Sequence, residues 1–164
     1  MSAPVSARGL SRRLAATPAY SYRGDPAVPG LPDDKALVVF DGVCVLCTGF
    51  ARFLLARDRA FAFRFATAQS PLGQALYRHY GLDRRHFATN LVIANGRVYG
   101  KLDSLAASGA LLGGPWRLLL ALRMLPYALA DRAYDAVARN RYRLFGRSTH
   151  CMIPPSTWHA RFLG

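Results

Sequence analysis

Residues 36–47 constrain the chain more than any other stretch. Ala36-Leu37-Val38-Val39-Phe40 is a continuous apolar run with Asp33 and Asp34 before it and Asp41 and Gly42 after it, the pattern of a short buried strand. Cys47, Phe50, Ala51, Leu54 and Leu55 then recur at three- and four-residue steps. That spacing puts them on one face of a helix beginning near Cys44 and ending around Asp58. A strand feeding straight into a helix through Asp41, Gly42 and Val43 implies an α/β arrangement. It also places the C-x-x-C pair Cys44-Val45-Leu46-Cys47 on the first helical turn.

The order downstream is consistent with that class. Phe61, Phe63 and Phe65 alternate with smaller or polar residues, the period of a strand. Ser70-Pro71 offers a helix start and Gly81 a stop, since Ser caps free amides and Pro is tolerated at the first helical position. Leu91-Val92-Ile93 and Val98-Tyr99 flank Asn95-Gly96, a strong hairpin signal. Asp103 is placed to cap a helix carrying Leu105, Ala106 and Leu111, ended by Gly113 and Gly114. After Pro115 the pattern is helical, from Trp116 to Met124 and from Pro126 to about Arg139. The expected organisation is a flexible basic leader over 1–33, a core over 34–112, and a helical C-terminal extension of the same domain over 113–164.

The leader reading rests on Pro4, Pro18, Pro26, Pro29 and Pro32 among Ser, Ala and Gly, a composition poor in periodic apolar residues. Arg8, Arg12, Arg13 and Arg23, with no acid before Asp25, also fit an organelle transit peptide, whereas a secretory signal would need an apolar core that is absent from the sequence given. The expected location is therefore the cytoplasm, with a mitochondrion or plastid as the alternative. Three cysteines are too few for a disulfide-built secreted fold and suit a reducing compartment. The leucine-dense stretch 111–130 is broken by Pro115, Arg117, Arg123 and Pro126, so it reads as helices packed on a core rather than a membrane span.

The chemistry centres on the cysteine pair. At a helix start the free amides and the positive end of the dipole favour an anion, so Cys44 can be held as a thiolate near neutral pH. Cys47 lies one turn on, within reach of a disulfide. Cys44 is the expected exposed nucleophile and Cys47 the buried resolver of a mixed disulfide. Asp41 has two readings, a turn residue or the group that takes the Cys47 proton during resolution. A zinc site would need four ligands. Beyond the pair only Cys151 and the adjacent His150 offer themselves, so neither a metal nor a bound cofactor is expected. His79, His86, His150 and His159 lack ligand spacing, and Trp116 and Trp158 read as packing anchors.

Asp41-Gly42-Val43-Cys44-Val45-Leu46-Cys47 resembles the signature of the DCC family of predicted thiol-disulfide oxidoreductases, whose Asp-Cys-Cys set here would be Asp41, Cys44 and Cys47. The likeness continues through Arg64-Phe65-Ala66, Gln69-Ser70, Tyr80-Gly81-Leu82-Asp83 and Gly113-Gly114-Pro115-Trp116-Arg117. It then takes in Tyr134 through Arg143, Phe145-Gly146-Arg147 and Cys151-Met152-Ile153-Pro154. The resemblance implies a thioredoxin-like sheet with flanking helices. Val43 and Val45 stand where many relatives have Glu and Pro, and no Pro lies near Thr89 and Asn90, where thioredoxins carry one. Cys151 matches a position common in that family and is either a third redox thiol or an ordinary free one.

The chain carries 22 basic and 9 acidic residues, a net charge of +13, and every basic residue except Lys35 and Lys101 is arginine. Such a surface attracts anions. Arg139, Arg141, Arg143 and Arg147 surround Tyr142 and Phe145, the composition of a nucleic-acid or phosphate patch. The expected function is thiol-disulfide exchange with a protein or small-molecule substrate. The alternative is a basic binding module for nucleic acid or another anionic partner, with structural cysteines.

Overall fold

The computed structural model describes residues 9–163. Its centre is β1, Ala36–Phe40, buried along its whole length. β1 runs parallel to β2, Phe63–Thr67, and antiparallel to β3, Leu91–Ala94, which forms a hairpin with β4, Arg97–Gly100. The sheet order is β2-β1-β3-β4. The parallel pair needs a crossover, supplied by α2, Val45–Arg57. With α3 at Pro71–His79 and α4 at Lys101–Leu112, this is the thioredoxin-like α/β arrangement.

Strand alternation divides the core into two layers. Leu37 and Val39 of β1 join Leu91, Ile93, Leu72 and Leu76 on one side, while Val38 and Phe40 join Phe63, Phe65, Val92, Cys44, Cys47 and Leu54 on the other. Ser70 Oγ accepts the Gly73 N–H at 3.0 Å and starts α3. Asn95 and Gly96 turn the hairpin with φ of 50° and 75°, the two left-handed positions of a type I′ turn.

Two boundaries differ from expectation. Phe61 lies outside β2, exposed and with φ of 53°, because the Asp58 carboxylate gathers the N–H groups of Ala62 and Phe63 at 2.9 and 3.0 Å and delays the strand. Asp103 does not cap α4. The helix starts three residues earlier, after Gly100, and Asp103 sits within its first turn.

Residues 9–33, expected as a flexible leader, pack on the domain. A short helix α1, Leu10–Ala15, buries Leu10 and Leu14. Ser11 donates to Asp131 at 2.5 Å, and Tyr22 is buried with its hydroxyl on Asp33. Tyr20 N–H reaches Gly96 O at 2.8 Å, and His79 links Ser21 and Asp25, each at 2.9 Å. The prolines break periodicity, but scattered apolar anchors still fasten the segment. The part of the leader and transit-peptide readings that falls on residues 1–8 lies outside the described residues.

Beyond α4 the chain forms a 3-10 helix, Gly114–Met124, and then α5, Tyr127–Phe145, longer than expected. Most of residues 146–163 is not helical. The chain returns along the sheet, where Phe162 bridges to Phe65 and Leu163 N–H reaches Phe65 O at 2.7 Å. No helix among the described residues is long and apolar enough to cross a membrane.

Candidate active site

The site lies where β1 ends and α2 begins. Asp41 is wholly buried. Its Oδ1 accepts the Val43 N–H at 3.1 Å, which closes the turn that brings Cys44 to the head of α2. Cys44 is the N-cap residue, and its sulfur accepts the Cys47 N–H at 3.3 Å. A sulfur therefore occupies the place usually taken by a Ser or Asp oxygen, facing the positive end of the helix.

Cys44 and Cys47 stand as free thiols in this structure. The Cys44 thiol is pulled down to about 6, first by the hydrogen bond from the Cys47 thiol, then by the Cys47 amide and the Arg141 charge, with burial and Asp41 opposing. The Cys47 thiol is pushed far up because its proton is held on Cys44, and burial adds to the effect. One sulfur carries the charge and the other keeps the proton. Exposure departs from the sequence expectation of an exposed Cys44: Cys44 is 0% exposed and Cys47 5%. Residues 146–152 cover the cap. Cys44 bridges to Arg147, Ser148 N–H donates to Val43 O at 2.8 Å, and Met152 N–H donates to Gly42 O at 2.8 Å.

Asp41 makes no hydrogen bond to either sulfur among the described residues. Gln69 Nε2 reaches its Oδ1 at 2.7 Å, Arg141 Nη2 its Oδ2 at 3.2 Å, and the Tyr142 hydroxyl also donates to Oδ2. Gln69 Oε1 in turn accepts the Gly42 N–H at 3.0 Å. Tyr142 is pushed up to about 12, by burial first and then by its bond to Asp41, so it remains a donor. Arg141 also donates to Ala138 O at 2.8 Å and to His86 O. In the sequence Gln69 carries no expected role, while Arg141 and Tyr142 both fall on the expected basic patch. The one signal was Asp41 itself, because a carboxylate at the end of a buried strand requires donors. Arg139, Arg143 and Arg147 are exposed, while Arg141 is 5% exposed and taken out of that patch.

Cys151 is partly buried against the turn, and a Cβ added to Gly42 would meet its sulfur at 2.3 Å. Among the described residues no three His, Cys, Asp or Glu side chains converge as a metal site. Trp116 packs edge-on to Phe53 at 4.8 Å and Trp158 packs against the core, as anchors do. Beside Cys47 opens a cavity of about 350 Å³ between α2, α4 and α5.

The model of the DCC1-like thiol-disulfide oxidoreductase family matches residues 38–147. The chain is 36% identical over 127 residues to the uncharacterized protein YuxK of Bacillus subtilis (strain 168), covering 77% of this chain and 93% of that one. It is 32% identical over 122 residues to the DCC family protein At1g52590, chloroplastic, of Arabidopsis thaliana, covering 74% of this chain and 71% of that one. No solved structure is significantly similar. With the family model spanning most of the sheet, the cysteine turn and α5, the chain belongs to the DCC1-like thiol-disulfide oxidoreductase family.

Proposed function

We propose that the chain exchanges disulfides through Cys44 and Cys47, with Cys44 the reactive sulfur. The observation that carries this reading is the Cys44 sulfur capping α2 while the Cys47 thiol holds its proton against it. When the pair is reduced, the Cys44 thiolate attacks a substrate disulfide and the departing substrate sulfur takes a proton. Once Cys44 is bound in the mixed disulfide it is neutral, and the hold on the Cys47 proton is lost. Arg141 then favours the Cys47 thiolate, which attacks the Cys44 sulfur and releases the second substrate thiol. Net, two electrons pass from the pair to the substrate, whose two protons come one from Cys47 and one from solvent.

Asp41 is read as a positioning residue. Both its oxygens are taken by donors, so it fixes Arg141 and the turn and is not the proton acceptor. No cofactor is needed, because the electrons reside in the pair. The substrate is a thiol or disulfide in a reducing compartment, either the cytoplasm or an organelle of the kind named for the plant relative.

The test is a redox titration of the whole chain in dithiothreitol buffers, with mass spectrometry locating the disulfide. A single reversible Cys44–Cys47 disulfide is the expected result. Two thiols that never pair would overturn the reading and make the motif structural.

A further inference from the structure

The cavity beside Cys47 reaches one sulfur of the pair and not the other. Its wall includes Cys47 but not Cys44, and most of the rest is apolar, with Leu102, Leu105 and Val137 among the lining. Two polar residues of this wall stand out. Asn90 Oδ1 and Arg141 Nε are buried and have no hydrogen-bond partner among the described residues. The residues that carry them are 7% and 5% exposed. Unpaired buried polar atoms are costly, and here one is an acceptor and the other a donor. A ligand with an apolar body and a group that both donates and accepts, such as a carboxamide, complements the chemistry of these two residues.

We infer that this cavity binds a small neutral dithiol, or its cyclic disulfide, carried on an apolar chain with a carboxamide-like polar group, and presents it to Cys47. The inference rests on the exchange reading above and names the substrate class. About 350 Å³ is near the lower end for small-molecule sites. It accommodates one such molecule and excludes a folded protein.

The chemistry follows from which sulfur is reached. In the oxidised protein a ligand thiolate attacks Cys47 Sγ, the Cys44–Cys47 bond breaks, and the electron pair leaves on Cys44. Cys44 is the better leaving group because its thiolate is the stabilised one. A monothiol would then stall, since Cys44 re-attacks Cys47 and expels it while a second molecule finds the cavity filled. A second thiol on the same ligand, giving its proton to solvent, attacks the ligand sulfur bound to Cys47 and closes a cyclic disulfide. Cys47 departs and takes up a proton. Two electrons pass from ligand to protein, and Cys44 stays a thiolate near neutral pH.

The experiment uses the full chain oxidised to the Cys44–Cys47 disulfide, confirmed by mass spectrometry, and follows its reduction by dihydrolipoamide and by dithiothreitol. Each rate is divided by that reagent's rate with free cystine, which removes intrinsic reactivity. The normalised rate for dihydrolipoamide is expected to exceed that for dithiothreitol by at least about tenfold, roughly 1.4 kcal/mol of cavity binding. Ala133→Trp, at an exposed position of α5 on the cavity rim, is expected to cut that ratio severalfold, and Asn90→Ala to lower it as well. A ratio near one, or one that Ala133→Trp leaves in place, overturns the inference while the exchange reading stands. Failure to form the disulfide at all overturns both, and the titration above identifies that case.

Discussion

Arg141 Nη2 lies 3.2 Å from Asp41 Oδ2, joining two residues a hundred positions apart beside the cysteine pair. Both side chains are buried. Breaking a buried pair leaves an uncompensated charge and costs about 3–5 kcal/mol, so Arg141→Met is expected to lose that much in urea unfolding. It also removes a charge that holds the Cys44 thiol down. The midpoint of Cys44 alkylation against pH therefore moves up in Arg141→Met and down in Asp41→Asn, which deletes the opposing charge. Equal midpoints in the two variants would refute this electrostatic account.

The depressed Cys44 thiol makes stability depend on pH with a definite sign. An unfolded thiol ionises near its ordinary value of 9.0, the folded one near 6. Between them the unfolded chain binds the extra proton, so stability rises with pH by up to about 1.4 kcal/mol per unit. The contribution is complete above pH 9 and lost as pH falls through 6. Cys47, pushed upward, acts oppositely and turns the curve down above pH 9. Urea melts of the reduced protein at pH 6.5 and 8.5 should show the rise, and Cys44→Ser should flatten it. A rise of equal size in Cys44→Ser would assign it to other groups.

Much of this site is written locally. The run Ala36 to Phe40, the Asp-Gly turn and the three- and four-residue apolar step after Cys47 each specify their own conformation, and together they set the pair on a helix start. Asn95-Gly96 likewise dictates its hairpin. What could not be read is what closes the site from a distance. Arg141 stands among exposed arginines, and nothing in the spacing marks it as the one turned inward to Asp41. The burial of Cys44 was equally hidden, because it depends on residues 146–152 returning across the turn through backbone hydrogen bonds. In residues 9–33 the prolines masked Leu10, Leu14 and Tyr22, which are anchored by tertiary packing and not by a local period.

Leu14 measures how far that segment belongs to the fold. It is 1% exposed, and a Cβ on Gly100 would meet its Cδ1 at 2.5 Å, which leaves little room for collapse around a truncated side chain. Leu14→Ala is expected to cost about 2–5 kcal/mol, the range for buried leucines. Chemical denaturation of the full chain checks it. A change below about 0.5 kcal/mol, the usual size for surface sites, would mean that the segment detaches freely.

The covered nucleophile yields the last prediction. Cys44 is thiolate near pH 7 but 0% exposed, so a small alkylating reagent must await displacement of residues 146–152 or arrive past Cys47. The Ser148 N–H bond to Val43 O, 2.8 Å long, holds the covering segment down. Ser148→Pro removes that donor. One backbone hydrogen bond is worth about 1 kcal/mol net, so opening should become roughly fivefold more frequent. Iodoacetamide should then label Cys44 about fivefold faster at pH 7.5, with the alkylation midpoint unchanged, because the groups that set the Cys44 charge are untouched. A faster rate with a shifted midpoint would indicate a disturbed cap rather than an opened cover. An unchanged rate would mean that Cys44 is reached from the Cys47 side alone, and the covering segment would then be a fixed wall that directs all exchange through the cavity.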